Sequence, residues 1–268
     1  SYADLKRRYV LWNVVAAPEF SLKAKQWCFP VAGCVSYRGY YSETDADAFA
    51  ENLRKEGYDV VVGGVPAYST LGWFSDPVLS TFINDSDAEL ARMIFHELAH
   101  QTVYAQGDSQ FNEAFAMTVE EAGLALWLGR NGDDKLRKFY AGREEREADF
   151  LALLLATRKK LEADYASPVS DDEKRTRKAE IFAGLKDEYQ GLKASWGGYS
   201  GYDAWFARPL NNANLVSLAT YHDYVPAFRT LLQQSGSFPK FYDAVRELAK
   251  LDIDERHRRL RALLPTNQ

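Results

Sequence analysis

Two histidines four residues apart, with a glutamate beside the first, form the stretch of this chain with the clearest chemical meaning. His96, Glu97 and His100 lie in the run HELAH. On an α-helix, residues four apart leave the same face, so both imidazoles can share one metal ion. Glu97 is then placed to take a proton from a water held on that metal. Chance gives this pattern on the order of once in a few hundred such sequences, so the run predicts a catalytic metal site.

A helical hairpin is predicted to carry this motif. The first helix is AELARMIFHELAHQTVYAQ, capped by Asp85 or Asp87. A turn at Gly107 and Asp108 leads to a second helix, FNEAFAMTVEEAGLALWL. The apolar stripe that we expect to face the core consists of Leu90, Ile94, Leu98 and Val103.

A third protein ligand is expected, because catalytic zinc usually has three of them and one open position. If the hairpin turns near residue 107, position 100 lies level with about position 114, which places Glu113 beside His100. The rivals are Glu120 and Glu121, which this register places one to two turns away, and Glu147 in the run EREADF. The sequence therefore predicts Glu113 as the third ligand.

The run HELAH followed by FNEAFA resembles the gluzincin metallopeptidases, in which a glutamate from a second helix completes the HExxH site. NEAFA is similar to the NEGFA run of the zinc aminopeptidases. The spacing is shorter here, since those enzymes separate the second histidine from the glutamate by about eighteen residues. The runs WNVVAAPEFSLKAKQWCFPVAGCVSYRGYYS, VPAYSTLGWFSDPVLSTF and LNNANLVSLATYHDYVPAF extend the resemblance. Over nearly its whole length, the chain resembles the bacterial putative aminopeptidase family of gluzincin type.

The resemblance implies zinc-dependent peptide-bond hydrolysis with one zinc ion per chain. Gluzincins often stabilise the oxyanion with a tyrosine or histidine from a downstream helix, which points to Tyr221, with His222 as the alternative. They also hold the substrate backbone by strand addition to a sheet edge upstream of the motif, here residues 67 to 72. An aromatic loop packed on the core is the other interpretation of that segment. The predicted substrate-binding residues are Ala67, Tyr68, Ser69 and Asn212.

The position of the cleaved bond stays open. An aminopeptidase needs an acidic group for the α-ammonium of its substrate, and Glu120 or Glu121 would serve. The alternatives are an endopeptidase with the same mechanism and a non-catalytic, metal-containing binding protein. Glu97 argues against the last, because a purely structural metal site does not need it. The two histidines and one carboxylate also fit a non-haem iron site.

Three further polar residues receive predictions. Asp108 either orients His100 through the free ring nitrogen or forms the turn. Asn112 is predicted to cap the second helix. His257, in the run DERHRRL, is expected to be solvated.

Composition narrows the function class. The net charge of −5 at pH 7 gives no support for nucleic-acid binding. No run approaches eighteen uninterrupted apolar residues, so no membrane-spanning segment is predicted. The two cysteines, Cys28 and Cys34, form either a disulfide or two buried thiols. The resembled family is commonly exported and often lipid-anchored, which implies a periplasmic or exported location, with the cytoplasm as the alternative.

These patterns predict an α+β fold in a single metallopeptidase domain, residues 1–268. A mixed α/β part at 1–82 contains the substrate-edge strand, and a mainly helical part at 83–268 carries the metal site. The first part is predicted to contain a helix at 2–14, short strands within 26–41, a helix at 45–56 and a strand at 58–65. Beyond the hairpin, helices are predicted at 133–167, 172–196, 211–220, 225–234, 237–250 and 253–263.

Overall fold

The structure is a computed structural model, which describes residues 2–29, 33–66, 78–81, 83–216 and 223–265. It shows an α+β protein with a small sheet and a large helical part. The central sheet has three antiparallel strands in the order β5–β2–β6. These are β2 (Leu11–Pro18), β5 (Arg38–Tyr40) and β6 (Tyr58–Val65).

The helix predicted over residues 2–14 is wrong. Tyr2–Ala3 forms β1, which pairs in parallel with β7 (Val78–Leu79), and the long middle strand begins at Leu11. This strand is covered along much of both faces. It therefore lacks the alternation of polar and apolar residues that would have identified it as a strand.

The two faces of β2 have different neighbours. Trp12, Val14 and Ala16 pack against α1 (Glu43–Lys55), which confirms the helix predicted at 45–56. Asn13 and Val15 face the other side of the sheet, where they line a cavity. The sheet thus separates a packed face from a face that is partly open.

A small hairpin lies between β2 and α1. It consists of β3 (Trp27–Phe29) and β4 (Gly33–Val35), in which Cys28 lies opposite Cys34. The two cysteines form a disulfide bond. Of the two alternatives in the sequence, the structure shows the disulfide.

The rest of the chain is mainly helical. The helices are α2 (Asp87–Thr102), α3 (Ser109–Asn131), α4 (Asp134–Tyr165), α5 (Asp171–Ser195), α6 (Asp203–Phe206), α7 (described over 212–216), α8 (Val225–Ser235), α9 (Phe238–Ala249) and α10 (Ile253–Ala262). The predicted helices beyond the hairpin are confirmed to within a few residues, except that the one at 211–220 is described only to residue 216. Among the described helices, none is both long enough and apolar enough to cross a membrane.

The α2–α3 hairpin is anchored through α3, which is buried along most of its length. Phe115 of α3 packs against Phe228 of α8 and Phe241 of α9. Gly123 lets α2 approach closely, because a Cβ atom there would lie 2.7 Å from the ring of Phe95. Since protein cores are close-packed, α3 is a rigid support for the side chains that it presents to α2.

The apolar stripe predicted for α2 is wrong at two of its four positions, whereas Val103 at its end is buried as predicted. Ile94 and Leu98 are 51% and 50% exposed. The buried residues of this helix are Ala88, Ala99 and His100. Small residues let α2 lie close to α3, and this contact turns the histidine-bearing face inward.

Candidate metal centre

The loop between α2 and α3 is fixed by two polar side chains. Asn112 accepts a hydrogen bond from the backbone N–H of Ala105 and donates one to its carbonyl, both at 2.8 Å. Asp108 caps α3 by accepting from the backbone N–H of Phe111. The prediction that Asn112 is the cap is therefore wrong, since Asn112 lies inside the helix and closes the loop instead. Together the two residues set the register between the helices.

This register brings His96, His100 and Glu113 together. One potential ligand atom from each residue lies within 4.8 Å of the others. Glu113 Oε2 is 3.5 Å from His96 Nε2 and 3.8 Å from His100 Nε2. Ligands at roughly 2.0–2.2 Å from a tetrahedral zinc ion lie about 3.3–3.6 Å apart, so these residues fit a divalent ion after small adjustments. No second group of this kind is found among the described residues.

His96 lies between two carboxylates on α3. Glu113 and Glu120 are seven residues apart, which is about two turns on the same helix face. While Nε2 of His96 faces Glu113, its Nδ1 lies 2.9 Å from Glu120 Oε2. An ionised Glu120 accepts a hydrogen bond from the Nδ1–H group, which keeps the proton on Nδ1 and leaves the Nε2 lone pair for a metal ion. The sequence predicts Glu120 only as a rival ligand or a substrate anchor, and its contact with His96 Nδ1 is not predicted.

Glu120 is in turn held by a chain of charged groups. Its Oε1 accepts a hydrogen bond from Arg92 Nε, and Arg92 also lies 3.8 Å from Glu89. Glu89 accepts hydrogen bonds from the Tyr140 hydroxyl, at 2.8 Å, and from Arg143. These charged groups connect the imidazole of His96 to α4, so the orientation of that ring depends on contacts far outside the HExxH motif.

The charge balance of the site favours a cation. Burial opposes a charge on His96, but hydrogen bonds with Glu113 and Glu120 outweigh it and raise the pKa of this imidazole to about 10. Burial lowers the pKa of His100. Burial alone would raise the pKa of Glu120, yet the contacts with His96 and Arg92 lower it. Without metal, a proton on His96 offsets the carboxylates, and a metal ion would replace that proton.

Two more residues of the hairpin lie near the histidines. Glu97 is half-buried on α2, next in sequence to His96. Tyr104, which the sequence analysis did not single out, has its ring edge-on to that of His100, with ring centres 6.5 Å apart. The short distance in sequence from the second histidine was the one signal that could have identified this tyrosine.

Asp108 does not orient His100. It is 3% exposed, and its Oδ2 lies 2.7 Å from Arg256 and 2.9 Å from His257 Nε2 on α10. The prediction that His257 is solvated is therefore wrong. Nδ1 of His100 is buried without a hydrogen-bond partner among the described residues. Asp108 is thus a cap and a buried link to α10.

The rival ligands lie elsewhere. Glu121 accepts two hydrogen bonds from Arg229, at 2.8 and 2.7 Å. Together with Glu120 and Glu147, it lines a separate cavity of about 530 Å³. Both Glu120 and Glu121 are therefore engaged by arginines, which argues against either as an anchor for a substrate α-ammonium group.

A second cavity, of about 520 Å³, lies beside Glu113. Its floor is the open face of the central sheet, including Asn13, Val15 and residues 61–65 of β6. Trp205 and Arg208, from α6 and the segment after it, form part of the wall. This cavity is the space next to the candidate metal centre.

β6 lies at the edge of the central sheet, because it pairs only with β2 among the described strands. The carbonyl of Val60 points away from β2 and accepts a hydrogen bond from Asn211 Nδ2 at 3.2 Å. Since strand residues alternate, the backbone groups of Val62 and Gly64 also point outward. Both residues line the cavity beside Glu113, so a strand edge with no partner among the described strands borders the candidate metal centre.

Most of the other predicted site residues lie outside the described part of the chain, namely Ala67, Tyr68, Ser69, Tyr221 and His222. Asn212 is described and is fully buried. Its Oδ1 accepts from the Tyr165 hydroxyl at 2.7 Å, and its Nδ2 donates to carbonyls in the turn after β2. These contacts correct the prediction, because the side chain is occupied by packing partners and has no exposed surface for a substrate.

The fold and site define an α+β protein with a candidate mononuclear metal centre beside a cavity. A model of the family described as "Putative aminopeptidase" matches residues 1–260, and the chain belongs to this family. The family description indicates a hydrolase that acts on peptides. Comparisons with curated proteins and with solved structures find no match.

Proposed function

We propose that this protein is a zinc-dependent peptidase of gluzincin type whose metal ion is held by His96, His100 and Glu113. The observation that carries the proposal is the convergence of these three side chains within 4.8 Å in a member of an aminopeptidase family. Zinc is favoured over iron because the neighbouring Glu97 suits hydrolysis rather than oxidation.

Each residue around the metal ion has a separate role in the proposed reaction. Zinc in such a site supplies Lewis acidity and lowers the pKa of its water to about 7. Glu97 accepts a proton from the attacking water and returns it to the leaving amine. Glu120 fixes the tautomer and orientation of His96. Tyr221 donates a hydrogen bond to the oxyanion that develops at the scissile carbonyl.

The substrate backbone lies along the outer edge of β6. The outward backbone groups of Val62 and Gly64 offer hydrogen bonds to an extended peptide, as in strand addition. This edge borders the cavity that contains Glu113, which supports placing the peptide beside the metal ligands. The predicted substrate residues 67–69 follow β6 in the sequence.

The family description favours removal of the N-terminal residue of a peptide. Glu120 and Glu121 are engaged by Arg92 and Arg229, so an acidic anchor for the α-ammonium group would have to come from another part of the chain. An endopeptidase with the same residues is the alternative. We place the protein in the periplasm or another exported location, since the disulfide between Cys28 and Cys34 is typical of an oxidising compartment.

Elemental analysis and a mixed peptide library read by mass spectrometry test the proposal. We expect about one zinc ion per chain and cleavage of peptides. Glu97→Gln should keep zinc and lose hydrolysis, whereas Glu113→Ala should lose affinity for zinc. Glu147→Ala is the matched carboxylate control and should retain both properties.

The outcomes separate the parts of the proposal. If Glu147→Ala loses zinc and Glu113→Ala keeps it, the ligand assignment is wrong. A protein that takes up no zinc overturns the metal site. Zinc uptake without cleavage of any peptide contradicts the peptidase and favours a metal-containing binding protein.

A further inference from the structure

Glycines form part of the floor of the cavity beside the candidate metal centre. Asn13 of β2 stands opposite Gly39 of β5 on one side and Gly63 of β6 on the other. Cross-strand neighbours normally cover one another, but neither glycine has a side chain to do so. A Cβ atom on Gly63 would have no other atom within 4 Å. Packing therefore does not require this glycine, and its absent side chain leaves room above the sheet.

Asn13 also has unused hydrogen-bonding capacity. Its Oδ1 has no hydrogen-bond partner among the described residues, although the atom is buried. Most buried polar side chains in proteins are paired. Asn13 therefore gives the floor of the cavity a polar side chain beside the two glycines.

The charges of this cavity are asymmetric. Glu113 and Arg208 are the only charged side chains among the described residues that line it. Arg208 is exposed and makes no hydrogen bond or ion pair within the described part of the chain. A divalent ion on Glu113 would more than neutralise that carboxylate. The occupied cavity would then be positive at the metal and at Arg208, with no described carboxylate to receive an ammonium group.

We infer that Arg208 binds a carboxylate of the substrate, which is either the terminal carboxylate of a short peptide or an acidic side chain. A guanidinium group matches a carboxylate through two parallel hydrogen bonds. This inference rests on the proposed peptidase function and specifies its substrate class. It agrees with removal of an N-terminal residue, because a short peptide held at its carboxyl end can present its other end to the metal ligands.

The size of the cavity limits the length of such a peptide. A volume of about 520 Å³ corresponds to a space about 10 Å across, which roughly three extended residues would span. We therefore expect di- and tripeptides with a free carboxylate to be better substrates than long chains.

Paired peptides test the role of Arg208. Each short sequence is prepared as the free acid and as the C-terminal amide, with and without an acidic side chain, and is given to the zinc-loaded full chain. Arg208→Gln should raise KM about ten- to a hundredfold for carboxylate-bearing members and leave neutral amides unchanged. Arg208→Lys should restore part of the preference. Arg246→Gln, at an exposed arginine on α9, is the control and should have no effect.

The arms of this experiment distinguish the two sources of the carboxylate. A preference that disappears on amidation assigns the terminal carboxylate, and one that follows the side chain assigns an acidic residue. Equal cleavage of acids and amides by the unmodified protein, or an unchanged preference in Arg208→Gln, overturns the inference.

A binding measurement keeps the inference separate from the peptidase proposal. Acetylated dipeptides, as free acids and as amides, are titrated into the metal-free protein by calorimetry. We expect the unmodified protein to bind the free acid more tightly than the amide. Arg208→Gln should bind the two forms equally. This result would support the carboxylate site even if no peptide is cleaved, whereas equal binding of both forms to the unmodified protein would overturn it.

Discussion

Glu120 Oε2 lies 2.9 Å from His96 Nδ1, on the opposite side of the imidazole from Glu113. One face of α3 thus supplies both a candidate metal ligand and the carboxylate that orients another ligand. Because α3 is buried among α2, α8 and α9, both carboxylates are held in a fixed relation. The site depends on this helix as much as on the motif in α2.

Removal of the charge on Glu120 should weaken metal binding. Glu120→Gln keeps the shape of the side chain but removes the carboxylate that favours the Nδ1 proton of His96. We expect zinc affinity, measured by competition with a chelating indicator, to fall about ten- to a hundredfold. Glu121→Gln changes the next residue, which pairs with Arg229 instead, and should leave the affinity unchanged. Equal losses in both variants would show that the contact with His96 is not responsible.

Zinc binding should release a proton. The pKa of His96 in the metal-free protein is raised to about 10, so this imidazole is protonated at about pH 6.5. A metal ion binds only the unprotonated nitrogen, so about one proton must leave His96 for each zinc ion bound. The pKa of His100 is lowered by burial, and this residue should contribute little. Calorimetry in two buffers with different ionisation enthalpies measures the number of protons released per zinc ion. If no proton is released, the assignment of His96 as a zinc ligand is contradicted.

The pair formed by Asp108 and Arg256 should stabilise the protein in a pH-dependent way. Burial alone would raise the pKa of Asp108, but hydrogen bonds from His257, Arg256 and the backbone N–H of Phe111 lower it. A carboxyl group with a lowered pKa in the folded state adds stability above its unfolded pKa of about 3.9. This stability is lost as the pH falls through the folded pKa.

Asp108→Asn should therefore lower the free energy of unfolding at pH 7 by about 3–5 kcal/mol, because the buried Arg256 loses its carboxylate partner and keeps only backbone carbonyls as acceptors. The difference from the unmodified protein should shrink below about pH 4. Urea unfolding at several pH values measures both effects. Asp243→Asn breaks an exposed pair with Arg246 and should cost less than about 1 kcal/mol. A pH-independent difference would refute the assignment to Asp108 ionisation.

The adjacent glycines of β6 should respond differently to substitution. A Cβ atom on Gly64 would lie 2.2 Å from the ring of Tyr9, so Gly64→Ala should destabilise the protein by about 1–3 kcal/mol. Gly63 faces open space, so Gly63→Val should leave the melting temperature nearly unchanged. The same change fills the cavity floor and should lower kcat/KM for peptides at least tenfold. Normal turnover by a folded Gly63→Val protein would show that peptides bind elsewhere.

The candidate ligands could be predicted because the necessary information is local. The four-residue spacing puts His96 and His100 on one helix face, and a short turn limits the partner of His100 to residues near 113. The role of Glu120 could not be predicted in this way. It depends on which nitrogen of His96 faces which carboxylate, and this is decided by the side-chain rotamers and by the contact with Arg92.

The errors in the fold have a similar origin. The long, charged helices α4 and α5 are predictable from composition and periodicity, whereas residues 11–14 at the start of β2 are predicted as helix because the strand is apolar on both faces. Ile94 and Leu98 are exposed because α2 packs its small residues against α3. Which face of α2 packs depends on the partner helix, so the periodicity of α2 alone could not reveal it.

Asn212 also affects how the protein unfolds. Its side chain bonds to the carbonyls of Pro18, Glu19 and Ser21 and to the hydroxyl of Tyr165. The end of the central strand, the end of α4 and the start of α7 therefore share one buried amide. If one of these segments unfolds, polar groups of the others lose their hydrogen-bond partners. We expect backbone amides in these segments to exchange with solvent through one common opening, so that sheet and helices unfold cooperatively.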